Sequence, residues 1–140
     1  MENETENEQE EKKELLGFIV DLKKRTAEPC LFKDSLQEFY RLLDCRLIDI
    51  QEALIEGRPF DFIVDDEGLL KESPKPSAFT KDEKPVFCGS LLVCRSDPET
   101  GKEAPLSNED ITLLLSHVVE VSNRAKPEEA PYKALLGLEF

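Results

Sequence analysis

The sequence has no tryptophan and no long hydrophobic run, and its 140 residues include only six glycines and one histidine. No stretch approaches the roughly 18 consecutive apolar residues that a membrane-spanning helix needs. The glycines form no phosphate-binding loop. The first residues, MENETENEQEEKKE, provide neither the basic nor the apolar region of a signal peptide. We therefore predict a cytoplasmic protein that does not engage a membrane.

Basic residues are also scarce. The chain has 18 lysines and arginines against 31 acids, which gives a net charge of −13. Residues 1–14 contribute −5 (two lysines, seven acids), so residues 15–140 contribute −8. The short basic runs at 12–13 and 23–25 are too small for a nucleic-acid patch, and we expect no direct nucleic-acid binding. An acidic surface of this kind can attract a basic protein partner.

The chain has four cysteines, and no pair of them shows the two-to-four-residue spacing of a zinc knuckle. Cys88 and Cys94 are six positions apart, which would place them roughly 20 Å from one another on a regular strand. We predict buried, reduced thiols, with neither a metal nor another cofactor. A site that recruits Cys30 or Cys45 is the alternative.

The length suits one domain with a modest core. The acidic, polar start cannot bury apolar surface, which predicts disorder there. Three parts are predicted: a disordered acidic tail over residues 1–14, a single domain over 15–126, and a partly docked C-terminal tail over 127–140.

Residues 15–24 allow two assignments. The spacing of the apolar side chains fits a helical face, whereas the β-branched residues and the short apolar run fit a strand. We favour a strand over about 16–23, then a turn that contains Pro29, then a short strand that starts at Cys30.

A first helix is predicted after residue 33. Asp34 is placed to cap it, and Gln37 follows at capping-box spacing. Apolar side chains then recur at i, i+3, i+4 and i+7, which makes a stripe that should pack on a sheet. The stripe consists of Leu36, Phe39, Tyr40 and Leu43.

Strand signals fill the middle of the chain. Residues 45–50 predict a strand and residues 56–59 predict a turn. Residues 60–65 alternate apolar and polar side chains, which predicts a half-buried strand with Asp61 and Asp65 on the wet face.

Two segments follow that differ in proline content. Three prolines predict a long surface loop over residues 72–85. Residues 86–95 are apolar at both alternate positions, which predicts a central strand covered on both faces. Gly89 marks a bulge or a close approach within it.

The clearest helix signal lies near the C-terminus. Ser107 is a good N-cap, acidic residues follow in the first turn, and Leu106 and Ile111 are spaced as a hydrophobic staple. The apolar stripe predicts a helix that ends near Pro127. Together these elements predict an α+β fold: a small mixed or largely antiparallel sheet with two main helices packed on one face.

The consecutive acids Asp65, Asp66 and Glu67 are the most conspicuous candidate site. A divalent cation needs oxygen ligands that converge from several directions, whereas neighbouring residues of an extended chain point apart. We favour a turn in which Gly68 supplies a positive φ. The acidic turn then acts only if a partner protein recognises its charge.

The single histidine, His117, is the other candidate. A catalytic triad requires a base that is held by an acid and faces a nucleophile. Ser116 is its neighbour in sequence, but consecutive helical residues do not face one another. We therefore predict no catalytic residue.

Two runs carry a family resemblance. The acidic turn Asp65-Asp66-Glu67-Gly68 stands where the family has Asn-Glu-Glu-Gly before an apolar residue. The run of Leu106, Ser107, Glu109, Asp110 and Ile111 matches its Leu-Thr/Ser-x-Glu-Asp-Ile pattern. Over about residues 17–120 the chain resembles domain of unknown function 3846, a bacterial and phage family.

The resemblance implies a gene carried on conjugative elements, plasmids or phages of Gram-positive bacteria, and implies no particular activity. Many members have a Gly-Gly pair after the first helix, where this chain has Asp44-Cys45. The resemblance therefore does not predict the conformation of that turn.

Since no catalytic constellation is evident, we predict a non-enzymatic accessory protein of a mobile genetic element that acts by protein–protein binding. A second hypothesis, suggested by the net charge, is an acidic nucleic-acid mimic that occupies the basic groove of a host defence or restriction enzyme. A small metal-dependent enzyme is the third hypothesis.

Overall fold

The computed structural model describes residues 13–71 and 74–140. The expected acidic tail falls largely on residues 1–12, outside the described residues. The strands are β1 (Leu15–Asp21), β2 (Thr26–Phe32), β3 (Ile48–Ile55), β4 (Arg58–Asp65), β5 (Pro76–Thr80), β6 (Pro85–Cys88), β7 (Leu91–Ser96), β8 (Glu103–Ala104), β9 (Val118–Val121) and β10 (Tyr132–Leu138). The helices are α1 (Leu36–Leu43), α2 (Asn108–Ser116) and a short 3-10 helix (Gly68–Leu70). None of these helices is long and apolar enough to cross a membrane.

The strands form two sheets. Sheet A has the order β2-β1-β7-β4-β3, with the short β8 paired to the end of β7. Sheet B has the order β6-β5-β10-β9. Among the described strands every pairing is antiparallel except β5 with β10. The mixed α+β class is confirmed, but the sequence predicts one sheet where the structure has two.

Sheet A is covered on both faces by separate apolar clusters. On one face Phe62 and Val93 pack toward sheet B and Leu114 of α2. On the other face Ile63 and Leu92 pack under α1. The two helices therefore lie on opposite faces of sheet A, and the prediction that they share one face is wrong. The reason is that β4 and β7 are apolar at both alternate positions, so each face needs its own cover.

The ambiguous segment at residues 15–24 forms a strand, as favoured. The predicted place of Pro29 in a turn is wrong, because Pro29 lies within β2 and pairs with Phe18. Since β2 is an edge strand, a residue without an N–H is tolerated on its outer side.

The first helix is confirmed, but its cap is shifted by one residue. Ser35, rather than Asp34, is the N-cap, and its Oγ accepts a hydrogen bond from the backbone N–H of Glu38 at 3.2 Å. Phe39 of the predicted stripe is buried, whereas Leu36 is exposed. Asp44 ends the helix in the left-handed conformation that glycine commonly adopts at this position.

The predicted wet face of β4 is also wrong. Asp61 and Asp65 are both buried, because β4 lies between β3 and β7 and is covered on both sides. A turn between β3 and β4 is confirmed, but it comprises residues 56–57 only, because β4 already begins at Arg58. The strand predicted at residues 45–50 begins at Ile48.

Residues 72–95 differ most from the prediction. The proline-rich segment contains β5 rather than only a loop. The single strand predicted over residues 86–95 is divided between Cys88 and Leu91, where Gly89 has a φ of +90°. As a result, β6 joins sheet B and β7 joins the centre of sheet A, where a central strand was predicted.

The C-terminal helix begins as predicted and ends early. Ser107 Oγ accepts from the Asp110 backbone N–H, and the Asp110 carboxylate accepts from the Ser107 N–H, forming a capping box. The helix stops at Ser116, because the run that follows pairs with β10 and forms β9. Residues 127–140 are expected only to dock partly, whereas β10 lies inside sheet B with buried residues along its length.

Candidate functional site

The acidic turn lies at the end of β4 and is stabilised by the buried side chain of Asp65. The Asp65 side chain is 1% exposed, and its Oδ1 accepts a hydrogen bond from the Glu67 backbone N–H at 2.9 Å. Its Oδ2 lies 2.7 Å from Nζ of Lys71. The hydrogen bond that Lys71 donates to this carboxylate raises the pKa of Lys71. Asp65 therefore shapes the turn and does not face a partner.

The other two acids point elsewhere. Glu67 accepts a bidentate pair from Arg46, with Nε–Oε1 at 2.7 Å and Nη2–Oε2 at 2.9 Å. This hydrogen bonding lowers the pKa of Glu67. Asp66 is exposed, its backbone N–H donates to the Leu47 carbonyl at 3.0 Å, and its carboxylate has no partner in the described part of the chain. The three carboxylates do not converge.

Gly68 serves the turn for a different reason from the one predicted. Its φ lies outside the left-handed region, so the expectation of a positive φ is wrong. A Cβ at this position would lie 2.1 Å from the Cys88 carbonyl oxygen, well inside contact distance. Glycine is therefore required because the 3-10 helix lies directly against the end of β6.

The residues after Gly68 form the exposed part of the site. Leu69 is 72% exposed and Leu70 is 80% exposed, so neither side chain returns to the core. Leu47, whose carbonyl binds the turn, is 47% exposed. We call Leu47, Leu69 and Leu70 the leucine ridge. The feature of the sequence that could have indicated this exposure is the adjacent pair of leucines. A three-residue helix between a turn and a proline-rich segment cannot fully bury both side chains.

A shallow cleft of about 300 Å³ lies beside the turn. Its charged groups are mostly joined in ion pairs: Asp65 with Lys71, Glu67 with Arg46, and Asp44 with Lys23. Burial raises the pKa of the Cys45 thiol in its wall, which disfavours a reactive thiolate. The cleft thus offers neither an activated nucleophile nor a convergent ligand set. It is lined by Asp44, Cys45, Arg46, Asp65, Glu67 and Lys71.

His117 has a structural role at the end of α2. Its Nδ1 lies 2.7 Å from the Leu136 carbonyl oxygen, and its Nε2 lies 3.0 Å from Oε2 of Glu56. Ser116 Oγ instead donates to the Leu113 carbonyl at 2.6 Å. The histidine joins β10 to the β3–β4 turn, and the geometry does not pair it with a nucleophile.

The cysteines are all free, but the strand assumed to hold two of them does not exist. Cys88 lies in sheet B and Cys94 in sheet A. Burial raises the pKa of Cys30 to about 11 and also raises that of Cys94. No group of three or more His, Cys, Asp or Glu side chains among the described residues could hold a metal ion.

A buried ionic network, which the sequence did not reveal, joins α2 to sheet A. Asp110 is 2% exposed and accepts a bidentate pair from Arg95 at 2.7 and 3.0 Å, together with a bond from Arg58 at 3.1 Å. Burial alone would raise the pKa of Asp110, but these donors and Ser107 hold it well below its usual range. Arg95 also lies 4.9 Å above the ring of Phe60. Both carboxylate oxygens of Asp110 are bound by donors within the chain, which indicates a structural role.

Comparison with known proteins adds one finding. Neither the curated proteins nor the solved structures gave a match to this chain. A family model described as a domain of unknown function (DUF3846) matches residues 17–119, from β1 to the first residues of β9. The matched part includes the acidic turn, the leucine ridge and the capped start of α2. The chain therefore belongs to the DUF3846 family.

Proposed function

We propose that this protein is a binding module without catalytic activity of its own, and that it contacts a partner protein through the leucine ridge and Asp66. The observation that carries this proposal is the exposure of Leu69 and Leu70, at 72% and 80%. Adjacent exposed leucines on a structured turn mark an interaction surface more often than isolated apolar side chains do.

The turn is held firmly enough to present these side chains in one position. The ion pair of Asp65 with Lys71 holds the turn on its buried side, and the ion pair of Glu67 with Arg46 holds it on its exposed side. Gly68 allows direct contact with β6. A surface held in this way loses less conformational entropy on binding than a mobile loop.

The chemistry of the ridge defines the kind of partner that would fit. It requires an apolar depression for the leucines and, beside it, a basic group for the carboxylate of Asp66. The remaining charges of the turn are already paired, so we expect apolar burial to provide most of the affinity. A role as an accessory protein of a mobile genetic element is part of this proposal and rests on the resemblance alone.

The test is affinity capture from a bacterial lysate with quantitative mass spectrometry. We expect Leu69→Ser/Leu70→Ser to lose a captured protein that the wild type retains. The matched control is Leu31→Ser/Leu36→Ser, because these leucines are 58% and 57% exposed elsewhere on the surface. Equal capture by both double variants would contradict the proposal.

Nucleic-acid mimicry remains the second candidate, because residues 15–140 carry a net charge of −8. A mimic should lose its partner steeply as salt rises, whereas binding by the leucine ridge should depend only weakly on salt. The third hypothesis, a metal-dependent enzyme, predicts a rise in melting temperature with millimolar Mg²⁺, Mn²⁺ or Zn²⁺.

A further inference from the structure

The strand β8 is a two-residue attachment between the centre of sheet A and α2. Glu103 pairs with Ser96, and Ala104 pairs with Arg95. After β8, the Leu106 backbone N–H donates to the Leu16 carbonyl at 2.8 Å and anchors the chain before α2. Residues 97–105 are therefore attached at both ends. Between the ends, β8 joins the segment to β7, and the Asp97 backbone N–H donates to the Lys102 carbonyl at 2.8 Å.

The side chain of Glu103 faces a buried thiol. Cys94 is fully buried, and its Sγ donates a hydrogen bond to Oε2 of Glu103 at 2.9 Å. Asp61, which is only 9% exposed, lies directly across from Cys94 in the β4–β7 pairing and is hydrogen-bonded to Glu103. Two carboxyl groups and a thiol thus share one edge of the apolar cluster under α1.

Among residues 13–71 and 74–140, the other charged groups placed near this pair are mainly acidic. Asp34, before α1, adds a further negative charge, and Glu52 lies across from Asp61 on β3. Lys102 is the preceding residue on β8's own segment, and it is exposed. Within the described ranges, neither Glu103 nor Asp61 forms an ion pair with a lysine or arginine.

Two adjacent, partly desolvated carboxyl groups that are paired with no lysine or arginine of the described residues cannot both ionise at low cost, so one of them retains a proton. Burial is the main cause that raises the pKa of Glu103 to about 7, and the charges of Asp61 and Asp34 also raise it. The hydrogen bond from Cys94 acts in the opposite direction. Glu103 is therefore the carboxyl that holds the proton in acid.

We propose that Glu103 and Asp61 form a pH-sensitive clasp for residues 97–105. In acid, protonated Glu103 donates to Asp61 and holds β8 on β7. When Glu103 gives its proton to water, two carboxylates face one another with no counter-ion from the described part of the chain, and their repulsion favours the open segment. Opening would expose Cys94 and the edge of the α1 cluster.

The test is amide hydrogen exchange of residues 97–105, followed by mass spectrometry and corrected for the intrinsic effect of pH. Because an open Glu103 has an ordinary acidic pKa, opening releases a proton between about pH 4.5 and 7. We expect opening of this segment to rise about tenfold from pH 5 to 7.5. Protection of β4 serves as the internal reference.

Three variants decide the outcome. Glu103→Gln is permanently neutral and should keep its acid-level protection at pH 7.5, and Asp61→Asn should reduce the pH dependence by removing the repulsion. Glu99→Gln, in the same connection but exposed, is the matched control and should behave as the wild type. Flat exchange in the wild type would overturn the proposal, as would full pH dependence in either Glu103→Gln or Asp61→Asn. If Glu103→Gln does not fold, Asp61→Asn decides.

Discussion

Gly68 offers the sharpest test of the turn, because two physical reasons for a glycine there predict different results. A Cβ at residue 68 would lie 2.1 Å from the Cys88 carbonyl oxygen, so the 3-10 helix and β6 must separate by about an ångström to accept it. Overpacking of this kind typically costs about 1–3 kcal/mol. Since the obstacle is backbone, we expect Gly68→Ala to lower the free energy of unfolding by about 2–3 kcal/mol.

Urea denaturation of purified variants measures this loss. Gly68→Asn separates the two explanations, because asparagine tolerates a left-handed φ but does not avoid the overlap. We expect it to be at least as destabilised as Gly68→Ala. The control is Gly101→Ala, where φ is +72° and the space is open, so only conformational strain of about 1 kcal/mol should appear. A loss below about 0.5 kcal/mol in Gly68→Ala, or native stability in Gly68→Asn, would refute the close-approach argument.

Two further predictions concern α2 and one concerns pH. Asp110→Ala should cost about 2–4 kcal/mol in urea denaturation, because it leaves Arg95 without its buried partner; a loss under 1 kcal/mol would show that the network is dispensable. Ser107→Ala should cost about 1 kcal/mol through the lost cap, whereas Ser116→Ala at the other end should be nearly neutral. Because the pKa of Glu103 is raised, the folded protein binds this proton more tightly than the unfolded chain does. The contribution of Glu103 to the free energy of unfolding is therefore full below about pH 4.5 and is lost as pH rises through about 7. For a half-buried group this loss is about 1–2 kcal/mol, and a Glu103→Gln variant with an unchanged pH–stability profile would contradict it.

The opposite sign applies to Asp110. Because its pKa is held low, its contribution to stability is present above about pH 4 and is lost as pH falls below that value. Acid therefore weakens the attachment of α2 while it strengthens the clasp at β8. The two groups lie on opposite faces of sheet A, since Arg95 and Cys94 are neighbours on β7 and point apart.

Several signals in the sequence were sufficient because they act locally. The cap at Ser107 orders the first turn of α2 by itself, and the short turn between β3 and β4 follows from its own residues. The apolar character of residues 91–94 at both alternate positions required a central strand. These interactions join residues a few positions apart, which is why they could be predicted.

The division into two sheets was not predictable in this way. Residues 76–80 begin with a proline in a segment typical of a loop, and they become β5 because β10 pairs with them from the far end of the chain. The run after His117 has helical apolar spacing, but β10 pairs with it and makes it β9. In both cases a long-range pairing overrides local propensity.

The candidate site also combines features that local sequence predicts with features that depend on long-range contacts. The sequence alone predicted that Asp65, Asp66 and Glu67 end a strand and form a turn, and β4 does end at Asp65. The reason for the following glycine is a close approach to Cys88, which is a long-range contact. Only the tertiary structure decided that Asp65 points inward, that Glu67 binds Arg46, and that Leu69 and Leu70 face solvent. The physical reason is that the direction of each side chain depends on β6 and on the Arg46–Leu47 segment, which reach the turn from about 20 residues away on either side in sequence.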